Sequence, residues 1–282
     1  MKKYIYQFVL FASVISLFFS CKKSEPIRDL KQKTFVLVHG AWQAPWCWDM
    51  VKSQLEEAGQ KVFVVELPGH GDDSTPPQNL TLDIYRDVVV NAIYGISEEN
   101  AKSGKKNMPV KIELVGHSLA GMVVSEVAEK LPEQIDKLIY IGAYLPTNNQ
   151  SLLDLAFTDA ESLLGKALIF NPYTLGVPLD SVDDIFCQDC TPELKTELIQ
   201  KYRDEPLVPF TNSAHLSAAN FGKTDKYYIH TLQDHVVGPS LQERMIAAAQ
   251  IPNSKVFPIN SSHCPFLSRP GAITKLLLEI TH

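Results

Sequence analysis

Six residues, Gly116-His117-Ser118-Leu119-Ala120-Gly121, place a serine hydroxyl among small side chains, and the flanks on either side are of two kinds. VKIELV (110–115) is short, apolar and β-branched, the make-up of a strand. Residues 118–130 instead repeat apolar side chains at three- and four-residue intervals, the pattern of a helix. A serine at that junction either caps the helix or stands on a sharp turn that presents Oγ as a nucleophile. The motif is G-x-S-x-A-G rather than the strict G-x-S-x-G, with Ala120 two positions after the serine. A tight turn asks for a small side chain there, and alanine is small.

A serine hydroxyl attacks well only when a base takes its proton, an orienter fixes the base, and donors receive the oxyanion. On a strand–turn–helix serine the partners follow in the order serine, acid, histidine. Of the eight histidines, only His263 and His282 lie beyond the last strand-like run, KVFPI (255–259), and His282 is the final residue, where a fixed position is not expected. His263, in the polar loop NSSHCPF (260–266), is the candidate base. The acid belongs in the loop after the preceding strand, where TLQDH (231–235) follows KYYIH (226–230), and Asp234 is the candidate. Asp225 stands before that strand, at the wrong end of a parallel sheet. His235 is set aside because neighbours on one loop rarely turn both side chains to one partner. His39-Gly40-Ala41-Trp42 follows the first strand-like run, TFVLV (34–38), so the amides of Ala41 and Leu119 are the candidate oxyanion donors. Trp42, Gln43 and Tyr144 follow strand ends and are assigned to the substrate pocket. Phe157, Leu163, Phe170 and Phe210 would form either an apolar acyl site or ordinary packing beneath an insertion.

These residues need a frame. Strand-like runs at 34–38, 61–65, 110–115, 137–141, 226–230 and 255–259 alternate with helical patterns at 46–58, 82–94, 118–130, 239–249 and 271–279. That alternation predicts an α/β domain over 34–282, with a six-stranded, mostly parallel sheet covered by helices on both faces. Residues 147–221 break the pattern. With helical stretches at 151–164 and 192–202, the second capped by Thr191 with Pro192 first, the segment is expected to be a helical lid.

Composition narrows the class further. With 45% hydrophobic and 21% charged residues in 282, and a net charge of −6, the chain is of globular type and offers no electrostatic reason to bind nucleic acid. No cofactor and no metal are implied by the motifs, and small neutral or organic molecules are the default partners. Lys2 and Lys3 precede an apolar stretch, 4–19, that is short for a membrane span and ends LFFSC, the layout of a secretory leader over 1–20 with a tether over 21–33. An uncleaved anchor is the alternative. After Cys21, four cysteines remain, Cys47, Cys187, Cys190 and Cys264, which allow three connectivities. Cys187-Gln-Asp-Cys190 lacks the βαβ setting of a redox motif and the extra ligands of a zinc site, leaving a local bridge or two free thiols.

FVLVHGAWQAPWCW (35–48), ELPGHG (66–71), LVGHSLAG (114–121), YIHTLQDHVVGPSLQERM (228–245) and SHCPFLSRP (262–270) together resemble one branch of the α/β-hydrolases. That branch holds bacterial carboxylesterases, plant methyl esterases and plant hydroxynitrile lyases. The resemblance implies ester hydrolysis through Ser118, His263 and Asp234. The lyases carry a threonine after the first-strand histidine and a lysine after the catalytic histidine; this chain has Gly40 and Cys264, which favours the esterase. Dehalogenases of this fold have an aspartate where Ser118 stands. A non-catalytic ligand-binding protein on the same fold is the rival from another class, and a surface protein serving adhesion or assembly finds little support. The N-terminus resembles a bacterial lipoprotein signal, which implies lipidation of Cys21 and an exported, membrane-anchored protein.

Overall fold

The structure, a computed structural model, describes residues 30–102 and 110–282. The leader, Cys21 and most of the tether lie outside the described residues. Among those described, no helix is long and apolar enough to cross a membrane.

Six strands form the central sheet: β1 (Thr34–Val38), β2 (Lys61–Val65), β3 (Ile112–His117), β4 (Ile135–Ile141), β5 (Lys226–Thr231) and β6 (Val256–Ile259). Their order is β6-β5-β4-β3-β1-β2, and every pairing is parallel. All six residues of β3 are buried, as a strand covered on both faces requires. α1 (Asp49–Glu57) packs on α11 (Pro270–Thr281), and α2 (Leu82–Lys102) packs on α3 (Ala120–Lys130). After β2 the chain returns to the other side of β1, so the order of strands reverses between β1 and β3. Crevices at such a reversal, beyond the carboxyl ends of the strands, are where ligands bind in open α/β sheets. Pairing Val38 with Gly116 and His117 with Ile141 sets those ends level, so the loops that follow them meet.

The insertion is helical in the main, as expected for a lid, with short strands added. It carries α4 (Leu152–Ala156), α5 (Leu164–Ala167), α6 (Val182–Cys187), α7 (Pro192–Gln200) and α8 (Val208–Thr211). It also contains strands: Gln150–Ser151 pairs with Ser213–Ala214, and Thr174–Gly176 pairs with both Ile169–Phe170 and Glu205–Pro206. Runs of two or three residues are too short to display a two-residue period, so the sequence hides them. The helix expected over 151–164 is broken in two. Its first part is held by a reciprocal cap, Ser151 Oγ accepting from Asp154 N–H while the Asp154 carboxylate accepts from Ser151 N–H. The expected Thr191 cap is present, its Oγ1 accepting from Leu194 N–H.

At the opposite end of the sheet Lys33 Nζ lies 2.9 Å from both Glu113 and Asp136. Burial pushes the Glu113 carboxyl up to about 7 even though Lys33 opposes the shift. A carboxyl raised on folding binds its proton more tightly in the folded state. Wild-type stability at this site is therefore full below about pH 4.5 and declines as pH rises to 7, by on the order of 3 kcal/mol. Chemical denaturation of wild type and Glu113→Gln should give a stability difference that shifts in favour of the variant across that window; a constant difference contradicts the assignment.

Candidate active site

Ser118 occupies the turn between β3 and α3 with φ of 54°, a left-handed conformation that a non-glycine residue adopts only when its surroundings impose it. The surroundings are close. Ser118 O accepts from Gly121 N at 2.9 Å and from Tyr144 N at 3.1 Å, tying the turn to the loop after β4. A Cβ on Gly121 would lie 2.0 Å from Tyr144 O, so the tightest limit on side-chain size falls there. That differs from the sequence expectation, which set the limit at Ala120; Ala120 fits, fully buried. A Cβ on Gly40 would come within 2.7 Å of Ser118 Cβ and 2.8 Å of His117 Nδ1, which makes the loop after β1 the wall against the serine.

The candidate acid and base are joined. His263 Nδ1 donates to Asp234 Oδ2 at 2.8 Å, and both side chains are sealed from water. Asp234 Oδ2 also accepts from Thr231 Oγ1 at 2.7 Å and from Gln242 Nε2 at 3.3 Å. Its Oδ1 accepts from the amides of Val236 and Val237 at 2.8 and 2.9 Å. A carboxylate with that many donors is a fixed anion, and it holds the imidazole with the proton on Nδ1 and the Nε2 lone pair free. The His263 carbonyl is itself anchored, accepting from His117 Nε2 at 2.9 Å, and the two imidazole rings lie 4.4 Å apart. Burial drives the His117 pKa well down, so the ring beside the candidate base stays neutral. Ser118 is thus next to His117 in sequence, and His117 touches His263. No direct hydrogen bond joins Ser118 Oγ to His263 among the described residues, an arrangement common in sites without substrate.

Ala41 follows Gly40, the residue packed against Ser118, and Leu119 follows the serine itself. Both are buried, and neither backbone N–H donates to another group of the described residues. Buried amides of this kind are rare outside places built to receive an acceptor. The amide of Leu119 stands where α3 begins, so the positive end of the helix dipole reinforces it.

The remaining candidates divide. Trp42 is buried beneath the lid, with Nε1 donating to Leu175 O at 3.1 Å and its ring 5.5 Å from Phe186 and 5.6 Å from Phe210. Gln43 Nε2 lies 2.9 Å from Cys264 Sγ, and Gln43 Oε1 is buried with no partner among the described residues. Tyr144 is buried behind Ser118. Phe210 is packed in the core, but Phe157 and Phe170 are 74% and 55% exposed, which corrects the expectation that they form an acyl site or lid packing. Phe186, which no sequence pattern singled out, packs 6.2 Å from the His263 ring. His235 Nδ1 faces Asp184 O on the lid, and Asp225 pairs with Lys255 at the far end of β5. Cys187 and Cys190 form a disulfide, while Cys47 and Cys264 are buried and unbridged among the described residues. The bridge borders the base loop, Cys187 Sγ lying 3.7 Å from Ser262 Oγ. Among the described residues no three His, Cys, Asp or Glu side chains converge as they would to hold a metal.

Comparison with known proteins agrees with the fold. The profile of the "Alpha/beta hydrolase family" matches residues 35–276. Two proteins of Arabidopsis thaliana, "Putative methylesterase 11, chloroplastic" and "Putative methylesterase 12, chloroplastic", are each 34% identical to the chain, over 269 and 280 residues. The alignments cover 89% and 93% of this chain; the chain spans 65% of the first relative, just under two thirds, and 76% of the second. Among solved structures, polyneuridine aldehyde esterase superposes with a TM-score of 0.72 at 24% identity, over 89% of this chain and all of that one. Tomato methylketone synthase I, as a variant complexed with beta-ketoheptanoate, gives 0.74 at 20% identity, over 89% of this chain and 98% of that one. At such identities the solved structures establish a common fold. From the matched span, the parallel sheet and the serine turn at its reversal point, the chain belongs to the alpha/beta hydrolase family, in the branch that holds esterases, methylesterases and hydroxynitrile lyases.

Proposed function

We propose that the protein hydrolyses a carboxylic ester of a small organic acid through a covalent acyl-enzyme on Ser118, with His263 as general base and Asp234 as its orienter. The observation that carries this reading is the sealed Asp234–His263 hydrogen bond, linked through His117 to a left-handed serine whose neighbouring Ala41 and Leu119 amides have no acceptor among the described residues. His263 Nε2 takes the Ser118 proton as Oγ attacks the ester carbonyl. The carbonyl oxygen becomes an oxyanion and accepts from the N–H groups of Ala41 and Leu119, donors that need no reorganisation as the charge develops. Collapse breaks the bond to the alkoxy group, which leaves as an alcohol with the proton returned from Nε2. Water then attacks the acyl-enzyme with His263 again as base, and the acid departs. The imidazolium formed in each half-reaction lies against the Asp234 carboxylate and beside a neutral His117, so no second cation opposes it.

The substrate class to examine first is the methyl ester, because the relatives that match most of the chain are named as methylesterases. A lyase-type reaction is disfavoured at Cys264. There the lyases resembled by this branch place a lysine, whereas burial pushes this thiol well up and keeps it neutral, so it offers no positive charge to a cyanide leaving group. Export and lipidation at Cys21, the only membrane contact in this reading, belong to the same proposal and rest on residues 1–21 of the sequence alone. Mass spectrometry of the protein extracted from membranes tests them, since a lipidated chain beginning at Cys21 is expected and an unmodified one would oppose them.

Steady-state hydrolysis of p-nitrophenyl and methyl esters of graded acyl length should give turnover with wild type and a loss in kcat of about 10^4-fold or more in Ser118→Ala. Equal rates for the two proteins, or none for either with any ester, would sink the proposal. Asp234→Asn should lower kcat by on the order of 10^4-fold with KM little changed, because the amide favours the wrong imidazole tautomer. A variant within tenfold of wild type would remove Asp234 from the mechanism.

A further inference from the structure

We infer that Glu205, on the lid, is a positioning residue for the oxyanion hole, so that the catalytic site is complete only while the lid is docked. The inference rests on the ester-hydrolase reading above. Glu205 is fully buried, and its Oε2 accepts from Trp42 N at 2.8 Å, across 163 residues of sequence. Trp42 has φ of 57°, a left-handed conformation that a bulky side chain adopts only under constraint. The lid supplies the constraint twice over. Glu205 pairs with Leu175 in the small lid sheet, and Leu175 O accepts the Trp42 indole N–H. One pair of lid strands thus grips both the backbone and the side chain of Trp42.

Trp42 follows Ala41 directly, so fixing the Trp42 N–H restricts the torsions through which the Ala41 amide is aimed. The peptide that bears the Ala41 N–H is held from its other side as well. Its oxygen is Gly40 O, which accepts from His39 Nδ1 at 2.9 Å. Burial lowers the His39 pKa to about 3, so the ring is neutral, and its Nε2 accepts from Leu67 N at 3.1 Å. His39 in turn lies edge-on to His70, 4.8 Å between ring centres.

His70 is the counter-ion that a buried carboxylate requires. Its Nε2 lies 2.8 Å from Glu205 Oε2 and its Nδ1 3.2 Å from Pro68 O, so both nitrogens face acceptors and both carry hydrogen. Burial opposes the charge, but the Glu205 carboxylate more than offsets it and raises the His70 pKa. A salt link between the lid and the loop after β2 is an expensive way to pack two surfaces together, because apolar residues of the same volume do that as well. What apolar residues would not supply is an acceptor for the Trp42 N–H, next to the peptide that must stabilise an oxyanion.

The test compares wild type, Glu205→Ala and Glu205→Gln on an ester that wild type turns over and Ser118→Ala does not. Absence of turnover in wild type would mean that the ester-hydrolase reading has failed, independently of Glu205. Given wild-type turnover, Glu205→Ala should lower kcat by about 10- to 100-fold with KM within about threefold, since a displaced donor approaches the effect of a lost one. Affinity for the matching trifluoromethyl ketone, which binds as a tetrahedral oxyanion, should fall in parallel, while inhibition by the planar methyl ketone stays unchanged. Glu205→Gln, which keeps an acceptor for Trp42 N–H, should recover most of the lost kcat. A raised KM with wild-type kcat would show that Glu205 only holds the lid over the pocket, and equal losses in Ala and Gln would show that the acceptor is irrelevant; either overturns the inference. If Glu205→Ala does not fold, Glu205→Met with His70→Leu removes both buried charges together and leaves Trp42 N–H without an acceptor. The same loss in kcat is then expected, and wild-type kcat would overturn the inference.

Discussion

The 2.8 Å hydrogen bond from His263 Nδ1 to Asp234 Oδ2 is the contact to which the other parts of the site are fitted. A buried carboxylate is costly unless its lone pairs are used, and here Thr231, Gln242, Val236 and Val237 use those that His263 leaves. The donors come from the end of β5, the loop after it, and α9 (Pro239–Ala248), so the acid is held by a segment that folds on itself. His263 arrives separately, from the loop after β6, and is held at its carbonyl by His117, the residue before Ser118. Each half of the pair is thus fixed to a different strand end, and the parallel register of the sheet brings them together.

The same logic of sealed polar groups extends to the lid. Ser118 and His263 are 3% and 1% exposed, a setting in which a hydrogen bond to a developing charge is worth more than it would be in water. The insertion responsible for this cover is attached by directional contacts as well as by apolar packing. Trp42 is plugged between Phe186 and Phe210, and its two N–H groups find acceptors on the lid. The Cys187–Cys190 bridge ties α6 against the base loop from the other side.

Much of this was legible in the sequence because the core is built from strong local signals. TFVLV and KVFVV are bounded apolar runs, and β1 and β2 occupy 34–38 and 61–65 as read. Asp234 and His263, singled out as candidates by chain order and by lying after strands rather than before them, are joined by a hydrogen bond. What stayed hidden has physical reasons. The helix read over 82–94 continues to Lys102 because its last turns, GISEENAK, are polar and solvated, so the apolar period fades before the helix ends. The lid strands are too short to show a period. Glu205 and Trp42 are partners 163 residues apart, and no spacing rule connects a lone glutamate to a backbone amide at that distance. Gly121, read as a neighbour of the motif, is the position where the β4 loop presses on the turn, a fact that only the approach of Tyr144 reveals.

The central claim is that Ser118 is a nucleophile activated by His263. Treating the folded protein with a fluorophosphonate and mapping the adduct by peptide mass spectrometry examines that claim without any choice of ester. A single phosphonyl group on Ser118 is predicted in wild type, with labelling lost in His263→Ala. Modification of a different serine, or equal labelling of Ser118 with and without His263, would contradict the account.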